Sequence, residues 1–292
     1  MATGALAKVR ERLVFVESSD GFGLAGALFE PEGRRAPSLV IWFHGIHLQF
    51  CEPEYVAIGR AVAARRIAFL SVNTRGHDFG VWMRGRSGLK LAGSGWELLQ
   101  ECTADIEGWL RFARAEGYDR LILAGHGFGG SKIVYYLSEH PEPAVSGVIL
   151  ASCASIIRDT LRPELSARAQ AMAVEGRGMD LLPWGTRPGV MTSTVSAQVH
   201  VARERLRHDL YGDGRQPPAL TRIRVPVLAW FGEQEVTPER DANRFLESTA
   251  QNLTASPMVD IKLLPGASYL YTGAEAVIAR EILRWVGRIS RT

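Results

Sequence analysis

The feature that most constrains this chain is a rhythm: short, almost wholly apolar runs alternate with longer segments whose apolar residues recur at helical spacing. A run that is apolar at nearly every position belongs to a strand buried on both faces, and strands joined through helices come out parallel. The runs are Arg12 to Glu17, Leu24 to Glu30, Leu39 to Phe43, Ile67 to Val72, Leu121 to Leu123, Gly147 to Ala151, Pro226 to Phe231 and Val259 to Leu264. Ser19-Asp20-Gly21, between the first two, reads as a hairpin turn. Helical patterns fall near residues 54–65, 95–116, 129–139, 237–250 and 274–290. The rhythm predicts an α/β fold with a doubly wound, mostly parallel eight-stranded sheet, whose right-handed crossovers leave few topologies.

From about Ala154 to Thr221 the rhythm breaks. Ile156 to Glu175 and Thr194 to Tyr211 pattern as helices, joined by the turn-rich stretch from Leu182 to Gly189. The expected organisation is a core of residues 1–153 and 222–292 with a helical cap insertion, 154–221, over the carboxyl ends of the strands.

Charge and cysteine content narrow the function. A net charge of +3 is small, and the one basic concentration, Arg203 to His208, is interrupted by Glu204, so no nucleic-acid footprint is visible. No run approaches the ~18 apolar residues of a membrane span, and the first residues lack the pattern of a signal peptide. Cys51, Cys102 and Cys153 show neither metal-ligand nor disulfide spacing. The expectation is a cytoplasmic protein with no metal, no cofactor and no membrane or nucleic-acid partner.

Leu121 to Gly130 runs from an apolar strand straight into a helix through Gly125-His126-Gly127-Phe128-Gly129. This wording resembles the nucleophile elbow of the α/β-hydrolases, Gly-x-Ser-x-Gly. The rest of the chain supports the resemblance in order. Val40 to Gly45 ends as the family's His-Gly loop does, and Ser71 to Asp78 matches the loop after the next strand. Gly232-Glu233-Gln234-Glu235 falls where the family places its acid, and Pro265-Gly266-Ala267-Ser268-Tyr269 where its histidine ends a Pro-Gly-Ala-x-His phrase. The resemblance implies the hydrolase fold and an oxyanion hole built from the backbone N–H groups of Ile46 and Phe128.

The departures fall on the chemistry. Glycine at 127 offers nothing to attack with, and a phenol at 269, with an ordinary pKa near ~10, donates protons rather than taking them. Only Glu235 keeps its function in the expected triad positions. Glycine would also relax the backbone strain that a serine meets at the bend. His126 and His44 read as packing and loop-shaping residues, whereas His47, just past the oxyanion loop, could line the pocket. Arg75 and Asp78 read as local loop fasteners, and Cys153, beside Ser152, as a buried thiol. Trp184, Met172, Met179 and Met191 could line an apolar substrate site or simply pack.

Three functions follow. The first is a non-hydrolytic enzyme (lyase, cyclase or isomerase type) acting on a small carbonyl or acyl compound, with Glu235, Tyr269 and His47 moving protons. The second is a ligand- or partner-binding pseudohydrolase. The third is a hydrolase with a rearranged site, drawing on Glu235 or on His200 or His208 of the insertion. A hydroxyl resting against an imidazole at this pocket would favour the third.

Overall fold

The computed structural model describes residues 8–33, 36–86, 88–142, 144–153, 163–185, 193–211, 217–236 and 242–291, with the side chains of 204–209 and 211 left aside. The eight-stranded sheet has the order β1 (Val9–Glu17), β2 (Gly23–Pro31), β4 (Ala68–Val72), β3 (Leu39–Phe43), β7 (Leu121–His126), β8 (Val145–Ala151), β9 (Val227–Gly232), β10 (Val259–Leu264). Strand β2 runs antiparallel to both neighbours, and β4, β3, β7, β8, β9 and β10 are mutually parallel.

The apolar runs do what their composition requires. In β3 alternate residues serve opposite faces: Leu39, Ile41 and Phe43 pack with α2 (Cys102–Ala115) and α3 (Phe128–Glu139). Val40 and Trp42 pack with α1 (Pro53–Ala63) and α7 (Glu275–Ile289). Every residue of β3, β4, β7 and β9 is buried. At roughly 1.5–3 kcal/mol per fully buried large apolar side chain, this two-faced core is the main support of the sheet. Helix α7 presents Ile278, Ile282, Trp285, Val286 and Ile289 to it along one stripe.

Two expectations need correction. Residues 95–116 are not one helix: a short 3-10 turn at Leu99–Glu101 precedes α2, and Gly95 and Trp96 lie in a turn. An antiparallel hairpin, β5 (Val81–Gly85) with β6 (Gly88–Ala92), forms a separate two-stranded sheet that the apolar pattern did not signal. Of its ten strand residues only Met83 and Ala92 are buried, and Trp82 and Leu89 are about two-thirds exposed, so it carries no buried-strand signature.

In the 163–211 stretch, α4 (Pro163–Val174) packs on α5 (Ala197–Tyr211) around Ala169, Met172, Leu182 and Ala197. Residues 156–162, 186–192 and 237–241 of the expected helices and joint lie outside the described residues, whereas α6 (Ala242–Asn252) covers the end of the expected 237–250 helix. The stretch is tied to the turn before α2: Ser196 N–H donates to the Gly95 carbonyl (2.8 Å), and Trp96 Nε1–H donates to that of Met179 (2.9 Å).

The strand order reverses at β3, whose neighbours are β4 on one side and β7 on the other. Loops leaving the carboxyl ends of adjacent strands diverge at such a point, and the crevice between them is where open α/β sheets bind ligands. Here those loops are 44–48 and the elbow at 127.

Candidate active site

Strands β3 and β7 are paired in parallel with Phe43 opposite Gly125, so His44-Gly45-Ile46 and Gly127-Phe128 emerge side by side. Strands β7 and β8 align His126 with Ala151, and β9 and β10 align Gly232 with Leu264. Ser152, Glu235 and Tyr269 therefore rise from the same edge.

Gly127 caps α3 with φ 51° and ψ −117°, a left-handed conformation that costs a side-chain-bearing residue about 1–3 kcal/mol. At Gly125 any Cβ would collide with the backbone of Gly129 and Gly130, which accounts for glycine before the bend. A Cβ at 127 would overlap the Tyr269 hydroxyl oxygen, and one at Gly45 would lie 3.1 Å from that same oxygen. The phenol thus occupies the space between the His-Gly loop and the elbow, where a nucleophile's side chain would project. The two departures from the family pattern are one steric unit. Among the described residues, neither the Ile46 nor the Phe128 N–H is given to a backbone acceptor.

Glu235, almost wholly buried, accepts from Ser152 Oγ–H at 2.5 Å and from the Gly232 N–H at 2.8 Å, both on Oε1. Ser152 Oγ in turn accepts from Tyr271 at 2.8 Å, and Tyr271 from Trp230 Nε1–H at 3.1 Å. The tyrosine linked to the carboxylate through Ser152 is therefore Tyr271, two residues beyond the expected Tyr269. Burial pushes the Tyr271 phenol well above its ordinary value, reinforced by the Glu235 charge.

The histidines divide sharply. His126 sits in an aromatic box, its ring 4.5 Å from Tyr269 and 4.8 Å from Tyr271, with Trp42 stacked alongside. Tyr55 O–H reaches its Nδ1 at 2.6 Å, and burial drops its pKa to about 3. His44 donates from Nδ1 to the Gly45 carbonyl (2.7 Å) and accepts the Thr74 N–H on Nε2 (3.1 Å). Burial and the Lys132 charge hold it well below the ordinary range. Both are neutral scaffold groups.

His47 is different. Ser94 Oγ–H is spent on the Asp78 carbonyl (2.8 Å), so Ser94 Oγ accepts from His47 Nδ1–H at 2.5 Å. That fixes the tautomer and leaves Nε2 to accept from Ser193 Oγ–H at 2.7 Å. A hydroxyl, an imidazole and a third group orienting the imidazole are the elements of an activated nucleophile. Ser193 and Ser94 each lay just before an expected helix, 194–211 and 95–116, and neither carried a local signature. Only tertiary structure brings them to His47.

Backbone strain marks the same region. Of the five described non-glycine residues at positive φ, four are here: His47 (63°), Asp78 (55°), Ser152 (51°) and Tyr271 (66°). Such strain gathers where a site is over-determined by its surroundings.

The remaining candidates are placed as follows. His77 Nδ1 pairs with Asp78 at 2.7 Å. Arg75 is not a local fastener: it is buried and spans the chain to Asp20 and Asp105, with several contacts near 2.8 Å. Cys153 is buried, its thiol on the Gly125 carbonyl at 3.2 Å and pushed far up by burial. His200 meets Ser166 at 3.3 Å, while the His208 side chain and Met191 lie outside the described residues. Met172 is buried in the small α4–α5 cluster, Met179 is half exposed, and Trp184 is largely exposed with its edge on Phe79. No cluster of His, Cys, Asp or Glu suited to a metal occurs among the described residues, and no described helix is long and apolar enough to cross a membrane.

A parallel sheet with a glycine elbow at its switch point and an acid loop two strands further on defines an α/β-hydrolase architecture. Residues 6–280 match the model of the alpha/beta hydrolase family, and the chain belongs to that family. Comparison with curated proteins finds no match. Among solved structures it is similar to Est1E from Butyrivibrio proteoclasticus with bound ferulic acid, at 16% identity and TM-score 0.67, covering 96% of this chain and 100% of that one. It is also similar to a thermostable carboxyl esterase from Bacillus coagulans, at 11% identity and TM-score 0.69, covering 96% and 98%. A soluble variant of monoglyceride lipase from Saccharomyces cerevisiae, in complex with a substrate analogue, matches at 14% identity and TM-score 0.66, covering 98% and 97%. At these identities the likeness is one of fold.

Proposed function

We propose that this protein hydrolyses a small acyl compound with a relocated nucleophile, Ser193, in place of the residue missing from the elbow. The observation that carries the reading is the 2.7 Å contact of Ser193 Oγ with His47 Nε2, backed by Ser94 on Nδ1. Ser193 Oγ attacks the acyl carbon as its proton passes to His47 Nε2. The oxyanion is taken by the N–H groups of Ile46 and Phe128, and the leaving group departs with the proton returned by Nε2. Water, deprotonated by the same nitrogen, then releases the acid and restores Ser193. Ser193 is buried, so substrate entry displaces the 193–196 segment. The esterases and lipase of similar fold support acyl substrates as the class to try first.

A second reading is favoured by the position of the Tyr269 hydroxyl between Gly45 and Gly127. There a phenol can donate a proton to a bound carbonyl oxygen while Glu235 accepts one elsewhere, the requirement of a lyase, cyclase or isomerase.

A panel of short acyl esters and thioesters tests both. Hydrolysis above the buffer rate that disappears in Ser193→Ala supports the first reading. Rates equal to buffer throughout remove it. Turnover that survives Ser193→Ala but is lost in Tyr269→Phe or Glu235→Gln supports the second, and ligand-induced stabilisation without product would identify a binding protein.

A further inference from the structure

Two buried arginines in this molecule are provided for very differently. Arg75 has the carboxylates of Asp20 and Asp105 against its guanidinium, so its charge and its donors are met within the protein. Arg203, on α5, is nine-tenths buried and, among the described residues, donates once, to the Ser94 carbonyl at 3.1 Å. Its Nε–H is buried with no acceptor among the described residues.

The charge around Arg203 does not balance either. Its guanidinium carbon stands 5.0 Å from the centre of the Phe128 ring, and Lys132 Nζ approaches the same ring at 5.5 Å. The carboxylate whose charge acts on Arg203, Glu97, is already the partner of Lys132 at 2.6 Å, and Thr74 Oγ1 takes a further Lys132 hydrogen bond at 2.6 Å. Among the described residues, two buried cations therefore share one carboxylate. Burial lowers the Arg203 pKa to about 10 against the opposing pull of Glu97, as expected for a cation taken out of water without its own counter-ion.

Packing alone does not call for this arrangement. One hydrogen bond to a carbonyl needs no guanidinium, and an idle buried donor destabilises the fold. A bound anion would remedy both deficits, because the planar fork of arginine matches the two oxygens of a carboxylate. The position is suggestive as well: Phe128 supplies one expected oxyanion donor, and Ser94 holds Arg203 by its carbonyl and His47 by its hydroxyl.

We infer that Arg203 receives a carboxylate on the substrate, so that the compound taken is an ester or thioester whose acyl part carries a second, free carboxylate. This rests on the proposed acyl chemistry at Ser193 for the ester, and on the Arg203 geometry alone for the carboxylate.

The test separates the two by reading binding on the Ser193→Ala protein, where turnover plays no part. Glutarate is the probe, with glutaramide as its neutral counterpart and inorganic phosphate as a second anion, measured by calorimetry and thermal shift. Glutarate should bind and stabilise, glutaramide should not, and Arg203→Met should weaken glutarate about tenfold or more. Arg203→Lys, which keeps the charge without the fork, should fall between them. Equal binding of glutarate and glutaramide, or an unchanged glutarate affinity in the Arg203 variants, would overturn the assignment. Phosphate binding as tightly as glutarate would overturn the choice of carboxylate. The comparison of ligands on protein with Arg203 in place decides the matter even if Arg203→Met fails to fold.

Discussion

Two hydroxyl relays stand at the carboxyl edge of the sheet, and they differ in where they end. In one, Trp230, Tyr271 and Ser152 pass hydrogen bonds to Glu235, a carboxylate that also takes the Gly232 N–H. In the other, Ser193 donates to His47 and His47 to Ser94, which closes on the Asp78 carbonyl. The first is made of indole, phenol and hydroxyl groups ending on a carboxylate, and it ties β8, β9 and the loop after β10 together. The second has an imidazole at its centre with a hydroxyl on its accepting nitrogen. In the reading proposed above, the first relay holds the site together and the second offers the chemistry.

The sharpest way to break this contrast is to exchange activity for stability at each relay. Ser193→Ala or His47→Asn should lower kcat toward an acyl ester by about 10³-fold or more, with a loss of stability in the Ser193 variant of no more than about 1–2 kcal/mol. Glu235→Gln should leave kcat within about tenfold, far less than loss of a group that acts in the transition state. The reverse pattern would hand the chemistry back to the Glu235 relay.

Glu235→Ala asks the complementary question. It strands the Ser152 hydroxyl and the Gly232 N–H in a buried setting, each worth about 1–3 kcal/mol, so denaturant unfolding should show a loss of about 2–6 kcal/mol. A loss below about 1 kcal/mol would mean the relay is not the fastening described.

Gly127 and Tyr269 provide a third test. Gly127→Ser meets both the left-handed backbone and the phenol, and should destabilise by more than the ~1–3 kcal/mol of strain alone. Tyr269→His in the same chain should recover part of that, with a coupling of about 0.5–3 kcal/mol in a double-mutant cycle. Additivity would show that the two positions do not share space. Ester cleavage gained by the double variant would show that the inherited framework still supports the older arrangement.

A last test concerns the scaffold imidazoles. The folded pKa of His126 lies near 3, below the ordinary 6.5, so between these values the unfolded chain binds the extra proton. Stability is therefore full above about pH 6.5 and declines as pH falls toward 3, with a slope of up to ~1.4 kcal/mol per pH unit for one such group. Urea midpoints at pH 7 and pH 4 should converge in His126→Asn relative to the unaltered protein. An unchanged gap would assign the acid sensitivity elsewhere, with His44 the next group to test.

The sheet was legible because buried parallel strands write themselves as apolar runs, and Leu39 to Phe43 could be little else. The elbow was legible because Gly125 and Gly127 are required by close approach and by backbone sign, constraints local to the chain. The β5–β6 hairpin was not, since half-exposed strands lose the pattern that burial imposes. Ser193 and Ser94 were invisible for another reason: each is an ordinary serine until folding sets it within 3 Å of His47, which was itself picked out only by its place after the oxyanion loop. Tyr271 was overshadowed by Tyr269, the residue that the family's phrase singles out.

The shared space at the elbow has a consequence for any substitution there. Serine at 127 is not a one-residue change, because its Cβ would overlap the tyrosine hydroxyl unless the ring moves aside. If the tyrosine leaves first, the aromatic box around His126 loses a wall. Either change made alone is unfavourable, so serine at 127 calls for both positions to change together.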